Sequence, residues 1–308
     1  MNGRLDGGAP RAFALSYLAI ESLGVAGYWA ALALMPQSRA SFTLTGAPPS
    51  SLWSLSAAEA SLLASGVLAL WGLYRRKRWA RPLLWLHAGA AIYAALLAAG
   101  MAVAEPRLWP GAGLMLPVLV VPLSLAVAAE RADGSAEAPR WLCVAHTLVQ
   151  TVFFWAFFLL IVPVLLRRVE VWLGLSAAAL SGPGVRAAGI AIFAAASCIG
   201  LSSGWSMATA GRGTPLPTSP ARRLVVTGPY RWVRNPMALA GVLQAVAAGL
   251  WLGSWVVIAY ALCGAVLWHV AVRPQEEREL SERFGEEFAA YRRVVRCWVP
   301  RLSPLLAR

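Results

Sequence analysis

Residues 236–273 read PMALAGVLQAVAAGLWLGSWVVIAYALCGAVLWHVAVR, and the length of this stretch decides the fold. One helix needs roughly 20 apolar residues to cross a hydrocarbon core of about 30 Å, and this run is too long for a single crossing. Gly253 and Ser254 interrupt it near the middle. The run is therefore predicted to be a helical hairpin with arms of about 15 and about 19 residues, reaching roughly 22 and 28 Å at 1.5 Å per residue. The first arm falls short of a full crossing, which makes the hairpin partly re-entrant. A hairpin that enters and leaves on one face brings its two ends together. Asn235 at the start and Glu276 and Glu277 at the return become neighbours, although about 40 residues of chain separate them.

Outward from the hairpin, six more apolar runs appear at about 12–35, 53–74, 82–104, 108–129, 141–166 and 185–210, each long enough to span a bilayer. The composition agrees. Hydrophobic residues form 59% of the 308 and charged residues 13%, where a soluble chain carries about 25% charged residues. The expected fold is an all-α polytopic integral membrane bundle of about eight membrane segments, the C-terminal hairpin included. The first run follows Arg4 and Arg11 but exceeds the roughly 7–15 apolar residues of a secretory signal core, so it is read as a span.

The net charge of +13 does not indicate a nucleic-acid partner. Lys77 is the only lysine among 27 basic residues, and the arginines lie in short loops, where a membrane protein places them. The loop Arg75–Arg78 with Arg81 anchors the cytoplasmic side. Counting crossings from it leaves only Arg39, Arg107, Arg167, Arg168 and Arg186 outside, so both termini are expected in the cytoplasm of a bacterial-type inner membrane. The pair Arg167-Arg168 sits awkwardly in that scheme. Glu21 and Glu59 fall inside apolar runs, and the favoured reading is a side chain facing the bundle, protonated or paired along its own helix. Of the three histidines, only His269 lies near the polar motifs. Cys143, Cys198, Cys263 and Cys297 form no CxxC pair and no metal spacing, and no metal is expected.

The chemistry is expected in the polar loop 211–235, GRGTPLPTSPARRLVVTGPYRWVRN, stiffened by Pro215, Pro217 and Pro220 and turned at Gly228-Pro229. Asn235 is placed to cap the first hairpin arm, with Pro236 at its first position. The free N–H groups there, beside Arg231 and Arg234, make an anion site. Opposite lie Glu276 and Glu277, so cationic donors face two carboxylates, an arrangement suited to a zwitterionic amino acid. Beyond them, Glu277, Leu280, Phe284, Phe288, Tyr291 and Val295 recur at helical spacing, predicting an amphipathic helix on the membrane surface that closes over the site.

The run GPYRWVRNPM, the apolar hairpin, then EEREL-(x)3-FGEEFAAYRRVV and VPRLSP resembles the isoprenylcysteine carboxyl methyltransferase family and its phospholipid methyltransferase relatives, in a bacterial-type form. The strong likeness covers about 214–304 and a weaker one 141–210, so 141–308 is expected to form the methyltransferase-like domain. Residues 1–140 form an unassigned membrane module of about four spans. Where the family often has His, this chain has Asn235, and where a Tyr usually follows, it has Ala238.

The resemblance implies an S-adenosylmethionine-dependent enzyme with the lipid bilayer as its setting. Gly228, Pro229, Tyr230, Arg234, Asn235, Pro236, Glu276 and Glu277 would form the cofactor shell. Arg273 would orient the acceptor, and Arg273 and Glu276 would be the catalytic pair. The acceptor would be lipophilic or a small membrane-permeant molecule. Rival readings are a phospholipid N-methyltransferase, a small-thiol S-methyltransferase, and a non-catalytic transporter or assembly protein that retains the fold.

Overall fold

In the computed structural model the described residues are 8–36, 39, 44–45, 53–130, 140–175, 180, 182–211 and 221–305, and among these all regular structure is helical. Pro215, Pro217 and Pro220, predicted to stiffen the polar loop, lie outside them. Seven helices are long and apolar enough to cross a membrane, and Pro236–Leu252 is a shorter apolar helix. The chain is an integral membrane protein built as a helical bundle. It divides into two compact units, Met1–Ala136 and Glu137–Arg308.

The first unit contains α1 (Gly8–Leu34), α2 (Trp53–Tyr74), α3 (Ala80–Ala104), the short α4 (Trp109–Leu114) and α5 (Leu116–Glu130). Small side chains let its helices approach closely. Ala80, Ala88, Ala91, Ala94 and Ala95 of α3 are buried, and Ala91 and Ala94 pack with Val25, Leu62 and Val118. In lipid the hydrophobic effect gives no drive between helices, so packing of this kind and interhelical hydrogen bonds must supply it. Arg11 donates to the carbonyls of Leu73 and Tyr74 at 3.4 and 3.0 Å, capping the end of α2, where carbonyls lack helical partners.

The intramembrane acids differ from expectation. Glu21 does not pair along its own helix alone. His87 of α3 lies 2.8 Å from its Oε2, Tyr17 donates to its Oε1 at 3.1 Å, and Ser65 of α2 meets the other His87 ring nitrogen at 3.1 Å. A chain of polar contacts thus crosses α1, α2 and α3, with Glu21, Ser65 and His87 buried. Glu59 accepts from the Trp29 indole N–H at 2.6 Å, also across helices. Sequence reading missed these pairs because distance along the chain hides them.

The second unit contains α6 (Arg140–Phe154), a wide π-turn segment (Trp155–Ile161), α7 (Val162–Trp172), α8 (Pro183–Thr209), α9 (Pro236–Leu252), α10 (Trp255–Leu267), a second π segment (Trp268–Val272) and α11 (Arg273–Val294). Each π segment ends two residues before a proline, Pro163 or Pro274. A proline ring inside a regular α-helix clashes with the carbonyl four residues back, and a widened turn relieves that clash. Tyr260 donates its hydroxyl to the carbonyl of Phe158 in the first wide turn, at 3.4 Å.

The predicted hairpin is present, bent at Gly253-Ser254. Gly253 takes left-handed φ 61° and ψ 48°, and its N–H bonds back to Leu250 at 3.3 Å. Ser254 caps α10 by accepting from Val257 at 3.1 Å. Glu170, buried at the end of α7, hydrogen-bonds Ser254 and the N–H of Val256 and receives Arg167 at 2.9 Å. Arg167 and Arg168 are therefore helical rather than in a loop, and Arg167 neutralises the acid that holds the hairpin bend.

The return arm corrects a boundary. It does not end at Arg273 but continues through the wide turn into α11, bent at Gly285 with φ 48° and ψ −123°. The predicted amphipathic face does not lie on the membrane surface. Phe288, Tyr291 and Val295 are buried, with Leu224, Val226, Leu280, Phe284 and Leu305 against them. The polar loop is itself amphipathic and supplies the apolar partner.

α8 and α9 approach closely at Gly189, where an added Cβ would lie 3.0 Å from the Ala247 carbonyl oxygen and 3.1 Å from the Trp251 nitrogen. Gly189→Val should therefore separate the helices and destabilise the second unit by about 1–3 kcal/mol, read as a lower thermal midpoint in detergent. His87→Leu should cost at least about 1–3 kcal/mol by leaving Glu21 short of a partner. The His87→Leu, Glu21→Leu double variant should be the more stable of the two, and equal midpoints would contradict the pairing.

Candidate active site

The two polar clusters meet. Asn235 donates from its side-chain amide to Glu276 Oε2 at 3.3 Å, and Arg234 donates to Glu277 Oε1 at 2.7 Å, across 41 and 43 residues of chain. The hairpin brings both pairs together, because α9 leaves the loop at Pro236 and the return arm re-enters polar surroundings at Arg273.

The loop is shaped by a requirement at Gly228. Its φ is +57°, and a Cβ there would lie 2.5 Å from the Ser206 hydroxyl of α8. Glycine alone satisfies both limits. Gly228–Arg231 then forms one 3₁₀ turn with Pro229 at its start, directing Tyr230 into the interior. Tyr291 of α11 donates to the Tyr230 carbonyl at 2.7 Å. Burial holds the Tyr230 hydroxyl protonated well above the usual tyrosine range, with Tyr291 and Glu276 adding to it.

The C-terminal segment completes the loop. Arg234 N–H donates to the Arg296 carbonyl at 2.8 Å, Arg301 N–H to Trp232 at 2.9 Å, and Leu305 N–H to Arg231 at 3.0 Å. The Arg231 guanidinium donates to the Leu305 carbonyl at 2.6 Å. Arg234 also reaches the carbonyls of Arg292 and Val295, both at 3.2 Å. Both arginines were expected beside an anion site at the start of α9. Both instead tie down the tail.

The start of α9 departs from expectation in a useful way. Asn235 occupies the cap position but makes no side-chain cap, because its amide is turned to Glu276. Pro236 has no N–H to satisfy. The N–H groups of Met237 and Ala238 have no carbonyl within the helix, and the positive end of a helix favours an anion.

The two acids divide. Glu277 is surrounded by Arg234 at 2.7 Å, Arg292 at 3.4 Å and Arg273 at 3.6 Å. Three guanidinium groups leave its charge more than balanced. Among the described residues Glu276 meets only the Asn235 amide. Burial pushes its carboxyl up to about 7, the Asn235 bond opposes this, and the charges of Glu279 and Glu277 add to the rise. A half-buried carboxylate with one neutral donor favours a cation nearby. An anion-receptive helix start thus stands beside a cation-receptive acid. Pro236 is buried at the junction, and Arg273, turned to Glu277, also donates to the His269 carbonyl at 3.4 Å.

Four participants went unread in the sequence. Ser206 lies beneath Gly228, Tyr291 holds Tyr230, Arg292 joins the Glu277 cluster, and Trp298 donates to His269 at 2.9 Å. Tyr291 was visible as part of a helical stripe, but the stripe gave no hint of its hydroxyl. Among the described residues no group of His, Cys, Asp and Glu could hold a metal ion.

Fold and site together define an integral-membrane helical protein with a two-poled polar site where a hairpin begins and ends. Residues 185–287, which run from α8 through both polar clusters, match the phospholipid methyltransferase family model. No curated protein and no solved structure matches the chain.

Arg234→Lys should lose the fork that joins Glu277 to the tail carbonyls. A destabilisation of about 1.5–3 kcal/mol is expected, with residues 296–305 becoming faster in hydrogen exchange than in the parent protein. Unchanged exchange would show that Arg234 does not hold the tail.

Proposed function

We propose that this chain is an S-adenosylmethionine-dependent methyltransferase acting at the cytoplasmic face on a lipophilic or small membrane-permeant acceptor, with 141–308 as its catalytic domain. The observation that carries the reading is the contact of Asn235 with Glu276, which sets the open start of α9 beside an under-neutralised carboxylate. The two charges of the amino-acid end of the cofactor match this pair in sign. The N–H groups of Met237 and Ala238 would receive its carboxylate, and Glu276 its ammonium. Gly228, Pro229 and Tyr230 would form the adjoining wall, and Glu277, held by three arginines, would fix the position of Glu276 and Arg234.

The cofactor supplies an electrophilic methyl group. The protein's task is alignment, holding an acceptor atom about 3–3.5 Å from that carbon. Arg273, at the polar end of the return arm, would orient the acceptor. If the acceptor is a carboxylate, opposite charges cancel during transfer, and a poorly solvated site favours that change. The family match favours a phospholipid head group as the second reading. Ala238 leaves the start of α9 without the hydroxyl common in the resembling family, and residues 1–140 would serve as an accessory membrane module.

Purified full-length protein should bind S-adenosylhomocysteine, and Glu276→Gln should weaken binding at least about tenfold through loss of a charge-assisted contact. Absence of binding by the parent protein would remove the proposal. Transfer of labelled methyl to lipid extracts, resolved by chromatography, would distinguish carboxyl, amine and thiol acceptors.

The raised Glu276 carboxyl gives a signed pH dependence. Ammonium binding needs the carboxylate, so affinity should rise as pH passes upward through about 7 and become nearly flat in Glu276→Gln. For the unliganded protein the sign reverses. A carboxyl raised above its unfolded value stabilises the fold most at low pH, and that contribution is lost as pH rises through about 7. Thermal midpoints with and without S-adenosylhomocysteine at pH 6 and pH 8 would test both signs.

A further inference from the structure

We propose that His269 binds the methyl acceptor, lending its Nε2–H to an oxyanion, phosphodiester or carboxylate, at the head of an amphiphile. This rests on the methyltransferase reading above and names the chemistry of its acceptor.

The indole N–H of Trp298 donates to His269 Nδ1 at 2.9 Å. An indole nitrogen can only donate, so Nδ1 must carry its lone pair and the ring proton must sit on Nε2. With Nδ1 accepting, the ring offers a single donor at Nε2, and that donor has no hydrogen bond to another described residue.

Its surroundings order the partner. His269 lies in the wide turn before Pro274, where Val266, Leu267 and Val270 are exposed and apolar, as at a lipid boundary. Trp268 and Trp298 cross edge to face at 5.2 Å, forming an aromatic wall beside the ring. One turn onward stands Arg273. Its link to Glu277, at 3.6 Å, is looser than the 2.7 Å link from Arg234 that already holds that acid. From the apolar end toward Glu276, the helix thus carries an aromatic wall, a single N–H donor and a loosely held cation. His269 Nε2 and the Arg273 guanidinium both donate, so the matching group accepts only, and the aromatic wall calls for an apolar chain attached to it. Wide helical turns often mark functional sites, and here the turn sets the donor at the boundary.

The test uses the full chain in maltoside micelles with S-adenosylhomocysteine present. Binding of dodecyl phosphate, dodecanoate and dodecyltrimethylammonium is measured by titration calorimetry. Parent protein should bind an oxyanion probe more tightly than the ammonium probe, and the tighter of the two oxyanions identifies the head group. His269→Leu should weaken that binding about tenfold, the loss of one hydrogen bond to a charged group. His269→Gln, which keeps a donor, should recover most of it. S-adenosylhomocysteine affinity should stay within about twofold throughout, since no hydrogen bond of the cofactor end passes through His269. Preference for the ammonium probe, unaltered oxyanion binding in His269→Leu, or equal loss in the Leu and Gln variants would overturn the proposal. Failure of the parent protein to bind S-adenosylhomocysteine would instead strike the methyltransferase reading.

Discussion

A helical chain that turns back within the membrane must return its polar ends to one place, and the second unit is arranged around that constraint. The left-handed Gly253 makes the reversal, and Ser254 starts the return arm with its own cap. Glu170 and Arg167 secure the bend from α7. Desolvating such an acid is costly unless donors surround it, and here the bend supplies them. At the opposite end of the same arms, the loop before Pro236 and the acids after Arg273 have no choice but to meet. Gly189 keeps α9 close to α8, so the position of the first arm is set by backbone contact rather than by interchangeable side chains.

At the meeting point, neighbouring acids acquire opposite characters from their surroundings. Glu277 is neutralised three times over and behaves as a structural node. Glu276 is half buried with a single neutral donor, and its carboxyl is raised accordingly. The difference does not lie in the residue type. It arises because Arg234 and Arg292 approach from one side of the helix only, while Asn235 spends its amide on Glu276 instead of capping α9. That choice leaves one helix end unsatisfied and one carboxylate wanting a cation, which are complementary deficits.

Much of this was legible in residue order. The length of 236–273 and the Gly253-Ser254 break specified the hairpin, and the hairpin specified the contact of Asn235 with Glu276. The motif GPYRWVRNPM pointed to the family that the segment 185–287 matches. What stayed hidden depended on contacts between distant segments. The stripe Leu280–Phe284–Phe288–Tyr291 was read correctly as apolar, but its partner was assigned to lipid because the apolar residues Leu224, Val226 and Leu305 lie in short polar stretches. The pairing of Glu21 with His87 escaped notice for the same reason. The hairpin was bounded at Arg273, where the apolar run ends, yet a widened turn lets the helix continue through Pro274. The Arg231 and Arg234 charges were recognised, but periodicity carries no information on whether a guanidinium faces a ligand or a backbone carbonyl.

The backbone ties between the loop and the tail also set an order of assembly. Arg231 and Leu305 bond to each other across 74 residues. During synthesis the hairpin arms can enter the bilayer while the loop beside them still lacks the strands of chain that satisfy its amides. The polar loop is consequently completed late, after the tail has emerged, and a nascent chain halted between these segments would be anchored in lipid with its polar site unfinished.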